Sequence, residues 1–276
     1  ALEKLELEFR QSRDDLGDLE TRTTRFRPAV TQVLGAWQRV FFASLARTRT
    51  ITTETALSTS IAQSTTLVIP GVSYASVPRG YLGEALFSRT LSVEVRGSAR
   101  TLGANSDYLQ LRLDAERVLD LAPKWHVFLR GQLGITAGSS AADLPGTERF
   151  FAGGDRSVRG FGYNDLSPTG AGGAKIGGRH LFTGTAEVIR DLPRNFGLAA
   201  FVDTGSAFDR FGDPLQYSAG IGLRVRLPVV TLGIDIAQPL SNPSCRNVKP
   251  DPRCGTLRGF DALPGPRLHL NFSPKL

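Results

Sequence analysis

Three features of the 276-residue sequence predict an all-β fold, a transmembrane antiparallel β-barrel of about twelve strands. Apolar and polar residues alternate with a period of two in segment after segment, the pattern of strands whose two faces meet different surroundings. One face is leucine, valine, isoleucine and phenylalanine almost without interruption, while the other is rich in charge, which fits hydrocarbon outside and a wet lumen inside. The connections divide into short turns and long loops, as in barrels that span a bilayer. A soluble sandwich also alternates, but its apolar faces must all meet in one shared core and its polar faces meet bulk water.

The first segment, residues 2–12, sets Leu5, Leu7 and Phe9 against Lys4, Glu6, Glu8 and Arg10. Segments 20–33, 37–50 and 63–76 are less regular, and 88–99 resumes the alternation from Leu91. In 107–119, Leu109, Leu111 and Leu113 oppose Gln110, Arg112 and Asp114, and 124–137 alternates from Trp125. Segment 179–191 is again less regular. In 196–208, Leu198, Ala200, Val202 and Thr204 face outward while Phe201 and Asp203 face inward. Segment 215–227 sets Ala219, Ile221, Leu223 and Val225 against Ser218, Arg224 and Arg226. In 230–239, Val230, Leu232, Ile234 and Ile236 oppose Thr231 and Asp235. The last, 265–274, sets Leu268, Leu270 and Phe272 against Arg267, His269 and Asn271.

Connections near 34–36, 120–124, 191–195 and 227–229 read as short, and those near 51–62, 138–178 and 240–264 as long. An even strand number returns both ends of the chain to the short-turn side, which is the periplasm in a bacterial outer membrane. Lipid offers no hydrogen bonds, so the sheet is expected to close, with residues 2–12 meeting 265–274 at a seam. Leu5, Leu7, Phe9, Leu268, Leu270 and Phe272 would then face lipid on the two seam strands.

Lys and Arg outnumber Asp and Glu by 33 to 26, a formal charge of +7. The basic residues are spread along the chain in no run resembling a nucleic-acid arm, so no nucleic-acid partner is expected. No apolar run approaches the 18 or so residues of a membrane-spanning helix. The chain starts at Ala1 and has no methionine, so an upstream segment such as a signal peptide is expected to have been removed. Cys245 and Cys254 lie in a proline-containing polar stretch; they either form a disulfide contributing about 2–4 kcal/mol in an oxidising compartment or stay as two thiols. The three histidines, His126, His180 and His269, lie away from that pair and form no triad pattern. "GAGGAKIGG" at 170–178 lacks the Gly-Lys-Ser/Thr ending of a phosphate loop. No catalytic constellation, metal site or cofactor is expected.

The longest connection holds "RFFAGGDRSVRGFGYNDLSP", residues 149–168, too rich in glycine for a core strand and too charged for a buried turn. It closely resembles the sixth-loop signature of TamA-like members of the BamA-like family of outer-membrane assembly factors, with Val158, Arg159, Gly160 and Phe161 as its core. "GAWQR" at 35–39, "TTLVIPGVSY" at 65–74, "FVDTG" at 201–205 and the final "SPKL" are similar to the same family in the same order. The resemblance implies that the loop folds into the lumen and that Arg159 pairs with Glu187 and Asp203 on the wall of the two following strands. Gly153, Gly154, Gly160 and Gly162 would permit the turn that brings it there. A planar guanidinium can bridge two carboxylates, and one shielded from water needs at least one.

The resemblance further implies a non-enzymatic assembly or translocation module of the bacterial outer membrane, active in β-barrel insertion or lipid delivery. The expected partners are outer-membrane lipids, a TamB-like periplasmic protein and unfolded outer-membrane clients. A passive porin-like channel and a two-partner-type polypeptide secretion pore are the alternatives. Family members ordinarily carry POTRA domains and sixteen strands, whose first and last pair weakly and are thought to open sideways. Here residues 1–276 read as a single barrel domain without POTRA, with Leu2 near the family's fifth strand.

Overall fold

A computed structural model describes residues 2–15, 19–54, 59–76, 90–138, 144–170, 175–227, 230–243 and 263–274. Twelve strands run in chain order as β1 (Leu2–Asp15), β2 (Leu19–Leu34), β3 (Trp37–Glu54), β4 (Thr59–Ser76), β5 (Thr90–Ser98), β6 (Tyr108–Ala122), β7 (Trp125–Ala137), β8 (His180–Leu192), β9 (Phe196–Phe208), β10 (Gln216–Arg226), β11 (Val230–Pro239) and β12 (Arg267–Pro274). Each hydrogen-bonds to the next, antiparallel throughout, in a single sheet.

Burial separates the two faces and inverts the order of a water-soluble protein. Along β9, Leu198 and Val202 are 51% and 55% exposed, while their neighbours Phe201 and Asp203 are 4% and 2% exposed. Leu5, Leu7, Phe9, Leu268, Leu270 and Phe272 all stand exposed, whereas Glu187, Arg224 and Asp235 are buried. The leucines therefore do not meet in a dry interior. They coat the outside, and the charges line the inside, as hydrocarbon and a polar bore require.

Two features differ from the sequence expectation. The expected long connection at 51–62 is instead mostly strand, because β3 runs on to Glu54 and β4 begins at Thr59. The seam strands do not close: among the described residues β1 pairs only with β2, and β12 only with β11. The segment between β7 and β8 lies on the concave side and contacts both β2 and β12.

Candidate functional site

The loop between Ala137 and His180 carries a small apolar core of its own. Phe150, Ala152, Val158, Phe161 and Leu166 pack on Ala207 of β9, with Leu181 of β8 alongside. Backbone bonds tie this core to the wall: Leu166 N–H donates to Ala152 O at 2.9 Å, and Ala207 N–H to Leu166 O at 2.9 Å. Val158 and Phe161, 0% and 3% exposed, turn into the core, and Arg159 between them is aimed at the wall. The reversal is made by glycines in the left-handed region, with φ of +107° at Gly153, +101° at Gly154 and +88° at Gly160. Gly162 serves another purpose: its N–H donates to Asp165 Oδ2 at 2.9 Å, and a Cβ at this position would lie 2.3 Å from that oxygen.

Arg159 is 3% exposed and makes five hydrogen bonds. Its Nε and Nη2 donate to the two oxygens of Asp203 at 2.8 and 3.0 Å, a bidentate fork, and its backbone N–H adds a third bond to Asp203 Oδ2 at 3.0 Å. Its Nη1 donates to Glu187 Oε2 at 2.9 Å and to Asp235 Oδ2 at 3.0 Å. Beneath the guanidinium lies the Phe201 ring, with its centroid 3.3 Å from Cζ. Arg224 of β10 completes the cluster, donating to Glu187 Oε1 at 3.0 and 2.6 Å and to Asp235 Oδ1 at 2.5 Å, and Asn271 of β12 donates to Asp235 Oδ2 at 2.9 Å. Burial alone would weaken the charge on Arg159, but Asp203 and then Glu187 outweigh it and raise its affinity for the proton above the ordinary value. Two guanidiniums thus stand among three carboxylates, joining the loop to the wall. Small residues leave this cluster room: a Cβ on Gly222 would sit 1.8 Å from Asp235 Oδ1.

A sequence model of the Omp85 superfamily domain matches residues 22–250. The chain belongs to the Omp85 superfamily. It is 29% identical over 147 residues to the outer membrane protein assembly factor BamA of Nitratidesulfovibrio vulgaris, a match covering 50% of this chain and 19% of that protein. Among solved structures it resembles BamA from Haemophilus ducreyi lacking POTRA domains 1–3, with a TM-score of 0.73 at 13% identity over 98% of this chain and 57% of that one. It also resembles CdiB from Acinetobacter baumannii, with a TM-score of 0.55 at 16% identity over 83% of this chain and 40% of that one. The Omp85 assignment places the chain in the bacterial outer membrane, in agreement with its inverted faces.

Beyond the residues singled out from the sequence, this Omp85 barrel holds its loop at a second point. Glu148, in the short 3-10 turn Gly146–Glu148, is fully buried against the opposite part of the wall. Its Oε1 accepts from Arg25 Nη2 of β2 at 2.7 Å, and Arg96 Nη2 of β5 stands 3.0 Å from Oε2 as an ion pair lacking hydrogen-bond alignment. Gln110 of β6 donates from Nε2 to Glu148 O at 2.9 Å and accepts from Arg96 Nε and Nη2 at 2.9 and 2.7 Å. Leu144 packs beside it with Ala46, Leu67, Ile69 and Tyr108. No motif announces Glu148; only the inward parity of Arg25 and Arg96 hints that a loop acid is needed.

A third contact reaches the last strand. Gly160 N–H donates to His269 Nε2 at 2.8 Å, and the other ring nitrogen, Nδ1, meets Asp155 Oδ1. Because Nε2 accepts, the proton of the neutral ring sits on Nδ1 and points at the Asp155 carboxylate. Cys245 and Cys254 lie outside the described residues. Among the described residues no cluster of His, Cys, Asp or Glu is arranged to hold a metal ion.

Proposed function

We propose that this Omp85 barrel serves an assembly or translocation module of the outer membrane, acting in insertion of β-barrel proteins or in delivery of lipid, as TamA-like proteins do. The observation that carries the reading is the loop held inside the bore by the five bonds of buried Arg159. A passive channel gains nothing from a loop that obstructs it. Among the described residues the outer backbone edge of β12 is unpaired, and such an edge is a template onto which an extended client strand can add by hydrogen bonding. The bond from Gly160 to His269 joins the loop to β12, so the loop's position and that edge strand are mechanically coupled. Outer-membrane lipids, unfolded outer-membrane clients and a TamB-like periplasmic protein are the partners this reading calls for.

The test is complementation after depletion in cells, with outer-membrane protein content and outer-leaflet lipid composition measured in parallel. Wild type restores the depleted quantity. Arg159→Glu fails to restore it, although its barrel still folds into the membrane, because a carboxylate now faces Glu187, Asp203 and Asp235. Normal complementation by Arg159→Glu overturns the role of the docked loop. Single-channel recording separates the porin-like reading, which requires a large steady conductance that no loop variant changes.

A further inference from the structure

We propose that the outer, lipid-facing wall carries a seat for one phospholipid, with an acyl chain in a cross-strand groove and the anionic headgroup on Arg117. The register sets Ala115 of β6 beside Gly131 of β7, Gly131 beside Gly184 of β8, and Gly184 beside Thr204 of β9. All four positions share the parity of exposed Leu109, Leu129, Phe182 and Val202, so all four face outward. Four small side chains in one row leave a trench. A Cβ on Gly131 would meet nothing within 4 Å, and one on Gly184 only the Thr204 methyl at 3.5 Å and Phe182 at 3.9 Å. The resulting groove encloses about 800 Å³, within the usual range of about 300–1,000 Å³ for a small-molecule site. It lies on the opposite side of the wall from the Arg159 cluster, backing Asp203 and Thr185.

The two ends of the trench differ in height and chemistry. At one end Tyr217, paired with Thr204, is the second residue of β10 and lies with Leu240 at the long-loop rim. At the other end Arg117 stands five positions before Ala122, the short-turn end of β6. The trench thus runs obliquely across the membrane, as a cross-strand row must where strands are tilted. Arg117 is exposed, its partner across the ladder is Leu129, and no hydrogen bond or ion pair joins its guanidinium to the described residues. A lone guanidinium facing hydrocarbon is unfavourable unless its long stem carries it to a phosphate, which its planar fork binds in two places. Hydrocarbon-side grooves hold no water, so an acyl chain is the group that fills the floor.

The experiment reconstitutes the chain into vesicles of equal phosphatidylglycerol and phosphatidylcholine, extracts it in mild detergent and counts retained lipids by native mass spectrometry. Wild type retains one phospholipid, with phosphatidylglycerol preferred about fivefold, the factor one arginine near an anionic surface supplies. Arg117→Leu loses the headgroup preference, and Gly184→Leu, which fills the trench, loses the retained lipid. Both place leucine on a lipid-facing position, so folding is preserved and is verified by heat-modifiable mobility. Equal retention of the two lipids by wild type, or retention untouched by Gly184→Leu, means ordinary annular lipid and overturns the proposal. Neither outcome bears on the docked loop, which both variants leave intact.

Discussion

The two walls that grip the loop carry opposite charge. On one side, β8, β9 and β11 present Glu187, Asp203 and Asp235 to a guanidinium. On the other, β2 and β5 present Arg25 and Arg96 to a carboxylate. A loop turned end for end would set Arg159 against arginines and Glu148 against acids, so the polarity of the walls admits one orientation only. The grips also differ in depth. Every ionic partner of Arg159 is buried, whereas Arg25 keeps a quarter of its side chain exposed, so water screens the Glu148 grip more than the Arg159 grip. This asymmetry ranks the consequences of breaking each.

The largest effect belongs to Arg159→Ala. It leaves Glu187 and Asp235 sharing Arg224 and removes the guanidinium from Asp203, a buried acid left with only the backbone N–H of residue 159. Breaking a buried pair in this way costs about 3–5 kcal/mol locally. The expected outcome is loss of hydrogen-exchange protection and new proteolytic cleavage across residues 150–166, while the strands stay protected. Cleavage no faster than in wild type means that the loop's apolar core alone seats it.

Glu148→Gln comes next, at about 1.5–3 kcal/mol for the loss of charged hydrogen bonds to an isosteric group. Its effect is confined to one end: the turn Gly146–Glu148 gains exchange, and the segment around Arg159 does not. Arg25→Gln combined with Glu148→Gln costs less than the sum of the two single losses, and the shortfall measures the coupling between them. Exposure of both ends together in Glu148→Gln shows that the two grips form one cooperative unit.

What the sequence discloses follows from how a barrel wall is built. A wall one strand thick, with hydrocarbon on one side and water on the other, writes its strands as a strict alternation, and β1, β6, β9, β10, β11 and β12 are legible for that reason. The outer part of the hairpin β3–β4 is not. Each of its strands is 18 residues long, more than the about 9–11 that cross a bilayer, and Arg47, Thr48 and Arg49 run on as polar residues on both faces, with no apolar face to mark the strand. Parity likewise puts Arg224 and Asp235 inside but cannot say that they meet Arg159, because that depends on register across four strands. Glu148 is less legible still: an acid in a polar loop looks like any solvated acid until the walls are folded around it.

The smallest effect separates charge from shape at the Arg159 grip. The Phe201 ring lies beneath the guanidinium at 3.3 Å and is itself 4% exposed, so it can act through its π face or simply as volume in the wall. Phe201→Leu keeps a large apolar side chain and removes the π face. The π contribution at such a desolvated site is about 1–2 kcal/mol, below either ionic grip. Combined with Arg159→Ala in a double-mutant cycle, Phe201→Leu adds almost nothing further, since the cation it served is gone. If the two losses instead add in full, Phe201 supports the wall and not the cation, and the acidic grip rests on its carboxylates alone.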